Sequence, residues 1–162
     1  MPLKRTEKND TLFRYLDIIQ YEPMRLFAEE AIMTYGNQKK LIEANKVADV
    51  MMGMMDKKHL LCENANQAFV EIMITSALLH NLFYDGSLHS VFYARERLTP
   101  LAKEKGLQDV AAKQIFKNIE AQFGDDMPVE GCRPNASTPT ELFVWAVWFV
   151  SEFSGRGKKM PC

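Results

Sequence analysis

Residues 64–84 read NANQAFVEIMITSALLHNLFY. Wound at about 3.6 residues per turn, Phe69, Val70, Ile72, Met73, Ile74, Ala77, Leu78, Leu79 and Leu82 point to every side and leave no polar stripe. A helix that is apolar all round belongs in the interior of a fold. The spacing therefore predicts a central buried helix over 66–84, stopped by Asp85-Gly86. The rest of the chain must then supply elements that cover it.

Those elements read as helices in both directions. Toward the N-terminus, QKKLIEANKVADVMMGMM (38–55) sets Leu41, Ile42, Val47, Val50, Met51 and Met54 on neighbouring faces, with Gly53 as the one weak helix former. Before it, Pro23 opens MRLFAEEAIMTY and Gly36 closes it, while Asp10 or Thr11 caps LFRYLDIIQ. Toward the C-terminus, SLHSVFYARERL reads as a short amphipathic helix. Thr99-Pro100 then reads as the cap and first turn of a separate LAKEK segment ending at Gly106. LQDVAAKQIFKNIEAQF keeps a helical period as far as Gly124. A long loop, DDMPVEGCRPNAS, follows. A Thr138/Glu141 capping box then launches ELFVWAVWFVSEF. No strand-like alternation with hairpin turns occurs, and there is no internal repeat. The expectation is one compact all-α domain over 1–153, with about seven or eight helices, and a frayed basic tail over 154–162.

Composition narrows the function classes. Hydrophobic residues make up 47% and charged residues 25%, the balance of a folded globular chain. Lys plus Arg number 20 against 21 for Asp plus Glu, so no general field attracts nucleic acid or an anionic membrane. LFVWAVWFV (142–150) is far shorter than the roughly 18 residues of a membrane span. No apolar signal core follows MPLKRTEKND, and the expected compartment is the cytoplasm. Cys62, Cys132 and Cys162 have no CxxC spacing and read as reduced thiols, not as a disulfide framework or a thiolate zinc site.

Few residues are placed to carry chemistry. There is no GxSxG, P-loop, GxGxxG or HExxH. Asp125-Asp126 lacks the spaced acids of a calcium loop. Met51, Met52, Met54 and Met55 read as adaptable core filler, and Trp145 and Trp148 as core packing. His59 follows charged neighbours and reads as surface. His80 is different, because it ends the most buried helix, where each ring nitrogen needs a hydrogen bond or a metal. Residue type alone favours a satisfied core histidine. His89, just past the glycine turn, reads as a helix-start residue and Asp85 as a turn residue. Arg95 and Arg97 have the fork that grips phosphate, although an exposed helix face paired with Glu96 or the neighbouring turn is the simpler reading.

ITSALLHN (74–81) resembles the AALLHD helix end of the HD-domain superfamily, all-α metal-dependent phosphohydrolases. LIEANKVADVMMGMM is similar to that family's earlier helix, with Val47-Ala48 as its Val-Ala pair. IFKNIEAQFG and PTELFVWAVWFVSEF resemble the later helices, so the similarity spans about residues 40–153. The resemblance implies an HD-like fold and a pocket at His80, but the ligand set departs from the family. No histidine stands near Glu43 to Asn45. The His-Asp pair is His80-Asn81. Phe123 occupies a later histidine position, and Trp145 and Trp148 flank that of the final aspartate.

A site of that kind uses metal to lower the pKa of bound water toward about 7. Asn81 supplies only a neutral carbonyl oxygen, and two-metal chemistry is not expected of it. The resemblance therefore implies a degenerate HD-type domain, without a bound metal, that binds a nucleotide or a protein. One alternative is an active phosphohydrolase acting on a nucleotide phosphate ester. It would use a single Mn, Co or Mg ion held by His80, His89 and Asp85, with Glu43 nearby, Asn81 in support, and phosphate gripped by Arg95 and Arg97. The other alternative is an unrelated helical interaction domain.

Overall fold

The computed structural model describes residues 3–57, 67–83, 89–122, 142–144, 146–147 and 149–150, with backbone only for 56–57 and 89–92. A 3-10 helix, Asp10–Phe13, runs into α1 (Arg14–Asp17). Then follow α2 (Glu22–Tyr35), α3 (Gln38–Lys57), α4 (Gln67–Leu79), α5 (His89–Glu104) and α6 (Asp109–Ala121). Residues 142–144, 146–147 and 149–150 are also helical, and no strand occurs among the described residues.

Local chemistry sets the helix ends. Pro23 sits in the first turn of α2, where a missing N–H costs nothing. Gly36 ends that helix by donating its N–H to Ile32 O at 2.8 Å. Its lack of a side chain matters, because a Cβ there would lie 2.6 Å from Ile32 O and 3.3 Å from a Leu82 methyl. Asn37 opens α3, its Oδ1 accepting the Lys40 N–H at 2.9 Å. Gly106 takes φ +79 after α5. The Leu107 N–H then reaches Ala102 O at 2.9 Å and the Gly106 N–H reaches Lys103 O at 3.1 Å, the paired bonds of a left-handed helix stop.

α5 departs from the sequence expectation. It runs unbroken from His89 to Glu104 with Pro100 inside it, where the sequence suggested two helices meeting at Thr99-Pro100. Ala94, Leu98 and Ala102 are buried at four-residue spacing on both sides of the proline, so one apolar stripe holds both halves against the same neighbours. Thr99 Oγ1 donates to Arg95 O at 2.6 Å, giving a carbonyl of the turn before the proline a side-chain donor.

α4 lies in the middle, packed against α2, α3 and α6. Residues 70, 71 and 73–79 are buried, and only Gln67 and Ala68 at its start are exposed. It is apolar all round because it serves two clusters. Val70, Ile74, Leu78 and Leu79 join Phe13, Phe27, Ile32, Leu98 and Ile115. Met73 and Ala77 join Val47, Met51, Met55, Phe143 and Val150 on the other side. Full burial of each large aliphatic or aromatic side chain stabilises by about 1.5–3 kcal/mol, so α4 is the element on which both clusters depend. Met51 and Met55 are core filler as the sequence suggested, whereas Met52 and Met54 are only half-buried. The Thr138/Glu141 cap, Trp145, Trp148, the cysteines and the tail over 154–162 lie outside the described residues.

Candidate functional site

Two polar places lie at the two ends of α4. At its C-terminal end, the helix stops in a turn over residues 80–83 and places His80 and Asn81 inside the protein, 4% and 2% exposed. His80 Nδ1 lies 2.7 Å from Ala77 O. A carbonyl oxygen can only accept, so Nδ1 carries a proton. The ring meets Phe143 edge-on, with centroids 6.4 Å apart. Gln122, at the end of α6, donates from Nε2 to His80 O at 2.8 Å.

Asn81 reaches the start of α3, donating from Nδ2 to Lys40 O at 2.9 Å. Lys40 answers by donating from Nζ to Leu82 O at 2.6 Å. Two crossed bonds thus strap the turn after α4 to α3. Asn81 Oδ1 is buried and meets no hydrogen-bond donor among the described residues.

The other expected site residues are placed unevenly. Asp85, His59, Phe123 and the side chain of His89 lie outside the described residues, so the structure neither joins them to His80 nor separates them from it. Glu43 is half-buried on α3. Asn45 is buried on α3 and donates from Nδ2 to Leu12 O at 2.9 Å and Leu41 O at 2.8 Å, which fixes the 3-10 helix onto α3. Arg95 lays its fork on Glu120, at 2.6 Å and 3.0 Å, and covers the Phe116 ring at 5.5 Å. It therefore pairs with α6 and not with its own neighbour Glu96. Arg97 is exposed on α5.

Among the described residues, no three His, Cys, Asp or Glu side chains converge as metal ligands. His80 Nε2 and Asn81 Oδ1 are both neutral donors, and two of them do not offset the charge of two divalent cations. The donor set described at this end differs from that of the two-metal centre of the HD superfamily.

At the N-terminal end of α4 lies Glu71, a residue that the sequence analysis did not single out. It is 1% exposed. One carboxylate oxygen accepts the Tyr21 N–H at 2.9 Å and the other accepts Gln67 Nε2–H at 2.6 Å. Glu71 thereby caps the start of α2 from a neighbouring helix. It also lines a cleft of about 540 Å³ between the starts of α2, α4 and α6, walled by Met24, Ile72 and Ala111 and edged by Gln20, Gln67 and Gln108. Its signal in the sequence was that it is the one acid inside an otherwise apolar helix.

A second missed group lies between these ends. Asn118 of α6 is wholly buried, donating to Ser76 Oγ at 3.0 Å and accepting from Gln114 Nε2 at 3.0 Å. Its signal was its place three residues after Ile115, on the apolar face of α6.

The chain matches no family model, and no curated protein and no solved structure is detectably similar to it. The likeness to the HD superfamily therefore rests on the four sequence segments themselves. Among the described residues, no helix is long and apolar enough to cross a membrane.

Proposed function

We propose that this chain is a degenerate HD-type helical domain whose His80-Asn81 pair has passed from metal ligation to structure, and that it acts as a protein-binding module. The observation that carries this reading is the bonding at the end of α4. His80 is tied to Ala77 O, its own carbonyl is held by Gln122, and Asn81 and Lys40 strap the turn to α3. Groups fixed in this way stabilise a helix junction, and their displacement by a substrate would break three tertiary contacts.

A protein is favoured over a nucleotide because Lys40, the cation described beside the His80-Asn81 turn, already donates to Leu82 O. Arg95, a candidate phosphate ligand, is paired with Glu120. Among the described residues, the cleft at Glu71 has no basic lining side chain, and its buried carboxylate repels phosphate.

The test is an assay of the full chain with p-nitrophenyl phosphate and with nucleoside mono-, di- and triphosphates, each with Mn, Co or Mg. The expected result is no metal-dependent turnover and no nucleotide-dependent rise in Tm. Metal-dependent turnover that disappears in His80→Ala or His89→Ala would overturn the proposal and install the single-metal phosphohydrolase.

A further inference from the structure

The cleft at the start of α4 has a shape and charge of its own. Its walls are apolar side chains, its edge is amide, and Glu71 is its single charged lining residue among the described residues. The two hydrogen bonds that Glu71 accepts come from neutral donors, a backbone N–H and a glutamine amide, and no cation pairs with it among the described residues. A carboxylate bonded only by neutral donors is complementary to a cation.

The three helix starts are each equivalent to roughly half a positive charge at their N–H groups. Those same starts also carry Glu22 in the first turn of α2 and Asp109 in the first turn of α6. Three carboxylates against Arg25, in the same turn of α2 as Glu22, and about one and a half charges of helix dipole leave a small negative excess. The cleft therefore favours a cation over an anion.

The rim identifies the kind of molecule that brings this cation. Val110, on the edge of the cleft, is 79% exposed, the most exposed large hydrophobic side chain described. Tyr21, also at the edge, is 36% exposed. A small cation seated within the cleft would leave both in water. A polypeptide would cover them while sending one long side chain inward. Arg and Lys have the matching form, an apolar stem for Met24, Ile72 and Ala111 and a charged head for the carboxylate. Arg fits better, because each Glu71 oxygen has a second lone pair and a planar guanidinium addresses both.

We propose that the cleft between the starts of α2, α4 and α6 is a docking site for a partner protein segment in which an Arg side chain, flanked by apolar residues, pairs with Glu71. This rests on the reading of the chain as a protein-binding module and names the chemistry of its partner.

The experiment uses the full chain and fluorescein-labelled peptides with a central Arg between leucines. Control peptides carry citrulline, the neutral isostere, or Glu at the centre. The expected outcome by fluorescence anisotropy is binding of the Arg peptide at least about tenfold tighter than the citrulline peptide, and none of the Glu peptide. Glu71→Gln should make the Arg and citrulline peptides equal. Ala68→Phe places a ring on the exposed wall of the cleft, and should weaken the Arg peptide about tenfold at unchanged Tm. If Glu71→Gln fails to fold, Ala68→Phe decides alone.

Equal affinity for Arg and citrulline, binding indifferent to Ala68→Phe, or no binding at about 1 mM would each overturn the proposal. Binding of benzamidine without any peptide would also overturn it, by assigning the cleft to a small cation. Such a failure leaves the structural role of His80-Asn81 standing, whereas metal-dependent turnover lost in His80→Ala refutes that role whatever the peptides do.

Discussion

The two ends of α4 bury polar groups in opposite ways. At the C-terminal end, His80 and Asn81 belong to a strap that joins α4 to α3 and α6 through backbone carbonyls, the Gln122 amide and the Lys40 ammonium. At the N-terminal end, about 13 Å away along the helix axis, Glu71 is buried under a cleft that remains open between three helix starts. One end uses polarity to close the fold, and the other keeps charge beside a surface that another molecule can reach. A histidine at the end of a buried helix draws attention first, yet the charged group beside a cleft is a glutamate that resembles no motif.

The comparison can be broken by substitutions at each end. His80→Ala should have the largest effect, since it empties a closed position and removes the Nδ1 donor from Ala77 O. The expected cost is about 2–4 kcal/mol, read by denaturant unfolding. Unchanged stability would show that His80 does not hold the junction.

Asn81→Asp introduces the His-Asp pair that HD-superfamily proteins carry, and should cost about 2–3 kcal/mol without metal. A carboxylate oxygen would then face Lys40 O across the 2.9 Å now bridged by an N–H. Recovery of Tm with Mn or Co would mean that the site is a latent metal centre, and would erase the contrast between the two ends.

Glu71→Gln should cost less, about 1–2 kcal/mol. One oxygen can still accept the Tyr21 N–H or the Gln67 amide, but the new amide turns a donor toward the other. Removal of a buried charge offsets part of that loss. A cost above that of His80→Ala would place the structural keystone at the cleft instead.

Tyr15→Phe is a control away from both ends, and its effect at neutral pH should be the smallest, about 0.5–1 kcal/mol. Burial, reinforced by the hydrogen bond to Asp49, pushes the Tyr15 hydroxyl from its ordinary value near 10 up to about 12. The folded state then holds this proton more tightly than the unfolded chain. The associated stability is complete below pH 10 and fades as pH rises toward 12. Unfolding curves taken across that window should converge for the wild type and the phenylalanine variant.

Much of this architecture was legible from the sequence. The all-apolar run fixed α4 as the centre, since only a position between two clusters accommodates a helix without a polar stripe. Gly36 and Gly106 were readable as stops because their chemistry is local. Pro100 misled the reading, because its local rule lost to the buried stripe of Ala94, Leu98 and Ala102, which becomes visible only when α5 is packed. The sites were less legible for a related reason. His80 could be named from its burial, but its bonds to Ala77 and Gln122 could not. Glu71 draws its meaning from Tyr21, fifty residues earlier in the chain. The Arg95–Glu120 pair likewise joins two helices whose adjacency no spacing rule supplies.

The double duty of α4 also bears on how the molecule opens. Its residues belong alternately to the cluster around Phe27 and the cluster around Met51, so neither cluster can dissolve without uncovering one side of the same helix. The two should melt as one cooperative unit, despite having separate memberships. In native-state hydrogen exchange, the amides of Met73 to Leu78 should be the last to take up deuterium, at the free energy of global unfolding, while the 3-10 helix before α1 exchanges through local fraying.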